Sequence, residues 1–202
     1  MPLNFNSEAQ YLLENDRVLL RPLQSSDFVH LLPFAVNEPE IWRYSAKSAE
    51  GEENLRNYIN DALQARQAGT EYPFIVFDKQ TNAYAGSTRF YDIQTEAATV
   101  QLGYTWYGKN FRGTGLNKHC KFLLLQLAFE SLAVERVEFR ADARNEVSIA
   151  AMKSIGCTVE GTIRNHRLLR EGGRGDSIML SILRDEWLGG VKDKLQAKLI
   201  NL

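Results

Sequence analysis

Asn110-Phe111-Arg112-Gly113-Thr114-Gly115-Leu116-Asn117-Lys118-His119-Cys120-Lys121-Phe122-Leu123-Leu124-Leu125-Gln126-Leu127 is the stretch from which the fold can be read. It opens as a loop punctuated by Gly113 and Gly115. It continues with apolar residues at Leu116, Cys120, Leu123, Leu124 and Leu127, the spacing of three and four that predicts a helix. Residues 98–107, just before it, alternate and are rich in aromatics, which predicts a strand. Strand, glycine loop and helix in that order leave backbone N–H groups free at a helix N-terminus, where the dipole adds partial positive charge. Such a place suits phosphate or pyrophosphate. A short Gly-x-Gly also serves as an ordinary turn, with glycine supplying positive φ. Two nucleotide motifs do not fit. Gly115 is followed by Leu116-Asn117, so the lysine and hydroxyl of a P-loop are missing. Asn117 stands where a dinucleotide fingerprint needs its third glycine.

Working outward, residues 17–23 alternate up to Pro22 and predict a first strand. Ser25-Ser26-Asp27 reads as the cap of a helix reaching Val36. Residues 50–68 predict a charged helix with Leu55, Tyr58, Ile59, Ala62 and Leu63 on one face, ended by Gly69. Residues 72–77 and 83–92 read as a hairpin around Lys79-Gln80-Thr81-Asn82. Residues 136–141 form a cleanly alternating strand, and 145–154 a helix stopped by Gly156. Two last strands, 158–169 and 176–183, flank a glycine-rich turn, and a helix over 185–199 is interrupted at Gly189-Gly190. This order predicts one α+β (mixed α/β) domain over residues 1–202, a central sheet flanked by helices.

The chain has 202 residues, 44% hydrophobic and 24% charged, with a formal net charge of −1. That length suits a single core. The charge argues against direct nucleic-acid binding. No apolar run has the length of a membrane span, and no signal peptide is visible, so a cytoplasmic protein is expected. Cys120 and Cys157 fall at apolar positions and read as buried thiols rather than a disulfide. His30, His119 and His166 are scattered, and no metal site is expected.

Arg112-Gly113-Thr114-Gly115-Leu116-Asn117 resembles the Gln/Arg-x-x-Gly-x-Gly/Ala pyrophosphate loop of the GNAT superfamily, the acyl-CoA-dependent N-acyltransferases. Asn117 departs from the usual small last residue. Downstream, Asn145-Glu146-Val147-Ser148, Met152 and Gly156-Cys157 are similar to the Asn-x-x-Ser helix of the RimJ/RimL-like branch, which includes ribosomal-protein N-acetyltransferases. Glu160-Gly161, Arg164, His166 and Asp185-Glu186-Trp187 also fall at that branch's places. The resemblance covers the core, residues 17–187. It implies the GNAT fold, with a mostly antiparallel central sheet, and transfer of an acetyl group from acetyl-CoA to a primary amine. The acceptor would be a protein N-terminus or a small-molecule amine. Members often dimerise, so a homodimer is one of the oligomeric states left open.

Residue by residue, the resemblance puts the pantetheine arm against the strand ending Thr105-Trp106-Tyr107 and the pyrophosphate on Arg112, Gly113, Thr114, Gly115, Leu116 and Asn117. It puts Asn145 near the pantetheine and Ser148 near the CoA sulfur. From spacing alone Asn145 reads simply as a helix cap, with Ser148 in the first turn. Many members carry a tyrosine at the place of Met152, which has no proton to give, so Ser148 is the candidate acid. Many carry a glutamate where Gln101 stands. His166, Asp92 and Asp142 are then the alternatives for a base, with His166 favoured by its intrinsic pKa. Lys118 and Lys121 read either as charge near the phosphates or as a solvated helix face. Trp42, Tyr44 and Trp106 read either as acceptor-pocket walls or as aromatic core. A non-catalytic acyl-CoA-binding or regulatory module on the same fold is the alternative function.

Overall fold

The computed structural model describes residues 3–45 and 47–200. Eight strands form one sheet in the order β1-β2-β3-β4-β5-β6-β8-β7. They are β1 (Leu13–Glu14), β2 (Val18–Pro22), β3 (Tyr72–Asp78), β4 (Ala83–Gln94), β5 (Thr99–Tyr107), β6 (Arg136–Asp142), β7 (Thr158–Leu168) and β8 (Arg174–Leu183). The helices are α1 (Phe28–Asn37), α2 (Glu52–Gln67), α3 (Leu116–Gln126), α4 (Glu146–Ser154), α5 (Arg184–Glu186) and α6 (Lys192–Leu199). Every pairing is antiparallel except β5 with β6. This is the mixed α/β architecture expected from the sequence, with a mostly antiparallel sheet flanked by helices. β1, two residues long, is an addition.

Alternation along the strands sends side chains to two cores. Tyr72, Phe74, Val76, Phe90, Val100 and Leu102 join the buried faces of α3, α4 and α6. Ile75 and Trp106 face the other way, into a core with Leu31 and Ala35 of α1 and Leu55, Tyr58, Ile59 and Ala62 of α2. β5 changes its alternation at Tyr104, where φ is +47° and the register with β4 slips between Ser87 and Arg89. Beyond the slip Trp106 enters the α1–α2 core, while Tyr107 returns to the α3 core.

The local signals act largely as expected. Residues 79–82 join β3 to β4. Asp27 closes a short 3-10 turn ahead of α1: its carboxylate accepts the Gln24 N–H at 2.8 Å and binds the Arg21 guanidinium at 2.8 and 2.6 Å. The last helix is broken where foreseen, with Gly190 at φ +128° inside a π-helical turn between α5 and α6. Cys120 and Cys157 are free, buried thiols. No described helix is long and apolar enough to cross a membrane.

Candidate acyl-CoA site

The parallel pairing of β5 with β6 runs only from Thr99 opposite Arg136 to Gln101 opposite Glu138. Beyond it, β5 stays paired with β4 as far as Tyr107, and β6 stays paired with β8 as far as Asp142. The two strands therefore part, and residues 102–107 keep one backbone edge with no strand beside it among the described residues. A free strand edge can pair with an extended, amide-rich chain. Thr105, Trp106 and Tyr107 lie along it.

The glycine loop begins where this edge ends. Gly113 and Gly115 have φ of +74° and +85°, a region that strains residues with a Cβ, and Gly115 is the N-cap of α3. No side chain caps that helix among the described residues; the Lys118 and His119 N–H groups turn back to the Gly115 carbonyl, which leaves those of Leu116 and Asn117 for a ligand. The loop is tied from outside. The Arg112 Nε donates to the Tyr107 carbonyl at 2.9 Å, and the Thr114 hydroxyl to the Phe111 carbonyl at 2.9 Å. The Tyr107 hydroxyl donates to Asn117 Oδ1 at 3.2 Å, which gives the departure at Asn117 a partner. Arg17, anchored on the Asp78 carboxylate at 2.8 Å, reaches the Thr114 carbonyl and hydroxyl at 3.4 Å each. The structure thus brings Arg112 to Asn117 together with the free edge of β5, a pair of features suited to a pyrophosphate followed by pantetheine.

Across the parting, Asn145 caps α4, its Oδ1 accepting the Ser148 N–H at 3.1 Å. Both are half-buried, and the Ser148 hydroxyl has no hydrogen-bond partner among the described residues. Met152 is buried core on the same helix. His166 lies on β7, an edge strand, exposed, its Nδ1 sharing a 3.0 Å hydrogen bond with the Ser177 hydroxyl. Gln101 is buried and donates to Asp92 at 2.8 Å. Asp142 is buried, and the Arg144 guanidinium beside it holds its carboxyl below the usual range, which disfavours it as a proton acceptor.

Lys121 is not part of a solvated helix face. It is 5% exposed, and its Nζ donates to the Thr105 hydroxyl at 2.7 Å and the Thr88 hydroxyl at 3.3 Å. Desolvation pushes its pKa down to about 8. Trp42 and Trp106 are core aromatics, ring centroids 5.0 Å apart, whereas Tyr44 lines a cavity of about 510 Å³ with Arg43, Arg144 and Glu171. Sequence reasoning missed the cavity's three charged residues. The one available signal was Arg144, next to the Asn145 cap.

Residues 17–158 match the acetyltransferase (GNAT) domain family. The chain belongs to this family. As a GNAT protein it is an N-acetyltransferase, and the family implies acetyl-CoA as the donor. The chain is 26% identical over 181 residues to N-acetyltransferase p20 of Bacillus licheniformis, itself uncharacterized, covering 88% of this chain and 98% of that one. It is also 26% identical over 181 residues to a protein of Bacillus subtilis (strain 168) provisionally named ribosomal N-acetyltransferase YdaF, covering 87% and 96%. A solved structure from T. thermophilus, provisionally named an acetyltransferase, superposes with a TM-score of 0.84 at 33% identity, covering 95% of this chain and 98% of that one. The GNAT resemblance read from the loop at 112–117, and its RimJ/RimL-like character, agree with these matches.

Proposed function

We propose that the protein moves an acetyl group from acetyl-CoA to a primary amine by direct attack within a ternary complex. The observation that carries this reading is the parting of β5 from β6. It leaves a free strand edge that ends at the glycine loop and the N-terminus of α3, and the Ser148 hydroxyl, without a partner among the described residues, supports the same reading. Acetyl-CoA brings the thioester that the amine attacks. The glycine loop at 113–115 holds the pyrophosphate, and Asn145 sets Ser148 through the cap. A backbone N–H of β5 near Trp106 stabilises the carbonyl oxygen, and the Ser148 hydroxyl donates to the departing sulfur. The acceptor is a protein N-terminus or a small-molecule amine. The name of the B. subtilis relative supports a protein.

Two variants test the reading. Gly115→Val puts a branched side chain at φ +85° in the loop, and CoA affinity should fall about tenfold or more in a variant shown to be folded. Ser148→Ala should lower kcat at least about tenfold, while acetyl-CoA affinity changes by less than about threefold. Full turnover in Ser148→Ala, with chemistry rate-limiting, places the acid elsewhere. The rival reading, an acyl-CoA-binding module without catalysis, has its motive in Gln101 and Met152, which cannot exchange protons at neutral pH. Acetyl-CoA binding without thiol release across a panel of amines would favour it.

A further inference from the structure

The 510 Å³ cavity is walled by three segments that are remote in sequence. Arg43 and Tyr44 follow the 3-10 turn Pro39–Trp42, Arg144 precedes the cap of α4, and Glu171 lies in the β7–β8 turn. That hairpin is latched onto the 42–44 segment. Arg167 donates to the Tyr44 carbonyl at 3.2 and 3.1 Å, and Arg170 to the Trp42 carbonyl at 3.2 Å. The cavity therefore borders the N-terminal end of α4, with Arg144 next to Asn145 in the chain, and is of ligand size.

Its charges are unevenly matched. Asp142 is occupied by Arg144 at 2.8 Å and faced by Arg167 at 3.6 Å, Glu50 by Arg170 at 3.0 Å and Glu171 by Arg144 at 2.7 Å. Arg43 has no carboxylate partner among the described residues. Its guanidinium lies over the Tyr44 ring at 5.3 Å, with that of Arg144 at 5.9 Å from the same ring. The Glu171–Arg144 pair is exposed, 57% and 49%, and exposed pairs are weak enough to exchange. The wall thus has one cation, Arg43, to spare, a second, Arg144, held in part by an exchangeable pair, and its one carboxylate, Glu171, already taken. A cationic ligand would find no free acid there.

We infer that this cavity is the acceptor's specificity pocket and that it takes a carboxylate on the acceptor, between Arg43 and Arg144 on the face of Tyr44. The inference rests on the transferase reading above and names its substrate class: primary amines that carry an acid, whether an acidic peptide beginning with a free amine or a free amino acid. Guanidinium–carboxylate pairs set the geometry, and Asp142 orients Arg144 from behind.

The test uses matched acceptors that differ only in charge: peptides with Asp or Glu against Asn or Gln in the first two positions, and free amino acids against their amides. Wild type should acetylate the acidic member of a pair with kcat/KM about tenfold or more above its amide partner, as a charge-assisted pair requires. The ratio should fall to within about threefold in Arg43→Gln, with acetyl-CoA affinity unchanged. The peptide and amino-acid arms decide which source supplies the acid. Calorimetry of the same acceptors on CoA-loaded protein reads the pocket without turnover. Acid-selective binding that Arg43→Gln abolishes, without transfer, upholds the pocket and defeats the transferase reading. Transfer with equal kcat/KM for acid and amide defeats the pocket and leaves the transferase standing. Absence of both acid-selective binding and acid-selective transfer overturns the inference.

Discussion

Two buried cations press on β5 at adjacent residues from opposite faces of the sheet, and they are treated differently. On the α2 side Arg89 sits opposite Gly103, with its guanidinium 4.3 Å from the Tyr104 ring, 4.6 Å from the Tyr58 ring and 2.5 Å from the Glu71 carboxylate. On the α3 side Lys121 has two threonine hydroxyls and no carboxylate. Burial opposes the charge of both. Around Arg89, Tyr58 and Glu71 outweigh it and raise the pKa, whereas around Lys121 desolvation outweighs the opposing pull of Cys120 and Cys157 and lowers it. A planar, weakly hydrated guanidinium can satisfy itself on ring faces and one acid, while a compact ammonium needs oxygen all round it. Arg89 is thus the better compensated of the two, although its Nε and Nη2 are buried without a hydrogen-bond partner, and Lys121 the worse.

The largest break in this comparison should come from Arg89→Met. It leaves Glu71, one-fifth exposed, without its cation and strips two rings of theirs, so unfolding free energy should drop by about 3–5 kcal/mol in urea titrations. A loss under about 1 kcal/mol would mean the pair is worth no more than a surface one. Next in size is the pH response set by Lys121. Its folded pKa of about 8 lies below the ordinary 10.5, so between those values the unfolded chain holds more protons. Stability must then rise as pH climbs from about 8 towards 10.5. At about 1.4 kcal/mol per pH unit this contributes ~3 kcal/mol, and the penalty is fully present below pH 8. Lys121→Met should remove that slope and be more stable than wild type at pH 7 by ~1–3 kcal/mol, because a desolvated charge gives way to a chain of similar length. Equal stability of Met variant and wild type at pH 7 would sink the claim that this face bears a cost. The smallest effect belongs to Thr105→Val. One hydroxyl is lost, about 1 kcal/mol, and the alkaline slope should begin at a lower pH because Lys121 keeps only its 3.3 Å partner.

Lys121 also shows where sequence reading stops. The stripe Leu116, Cys120, Leu123, Leu124 identified the helix, yet a lysine beside the stripe looks the same whether it turns to water or to Thr105. The glycine loop, the 79–82 turn, the Asn145 cap and the break at Gly189-Gly190 were legible because each depends on neighbours within a few residues. The parting of β5 from β6 was not. It depends on which strand lies beside residues 102–107, and periodicity within a strand says nothing about its partner. The cavity was invisible for the same reason, since residues 43, 144 and 171 are remote in sequence and meet only in the fold, where Arg167 and Arg170 tie the β7–β8 hairpin to the 42–44 segment. Gln101 was legible as a residue unable to take a proton, but not its burial against Asp92.

Among the described residues, three pairs, Thr99–Gln101 with Arg136–Glu138, are all that ladder one half of the sheet to the other. Mechanically that is a seam stitched at one end. An extended cofactor lying along the open edge would supply the missing stitches, so part of the sheet's stiffness would be brought in from solution with each catalytic cycle and leave with the product. Amides of residues 102–107 should then exchange with deuterium more slowly when CoA is present.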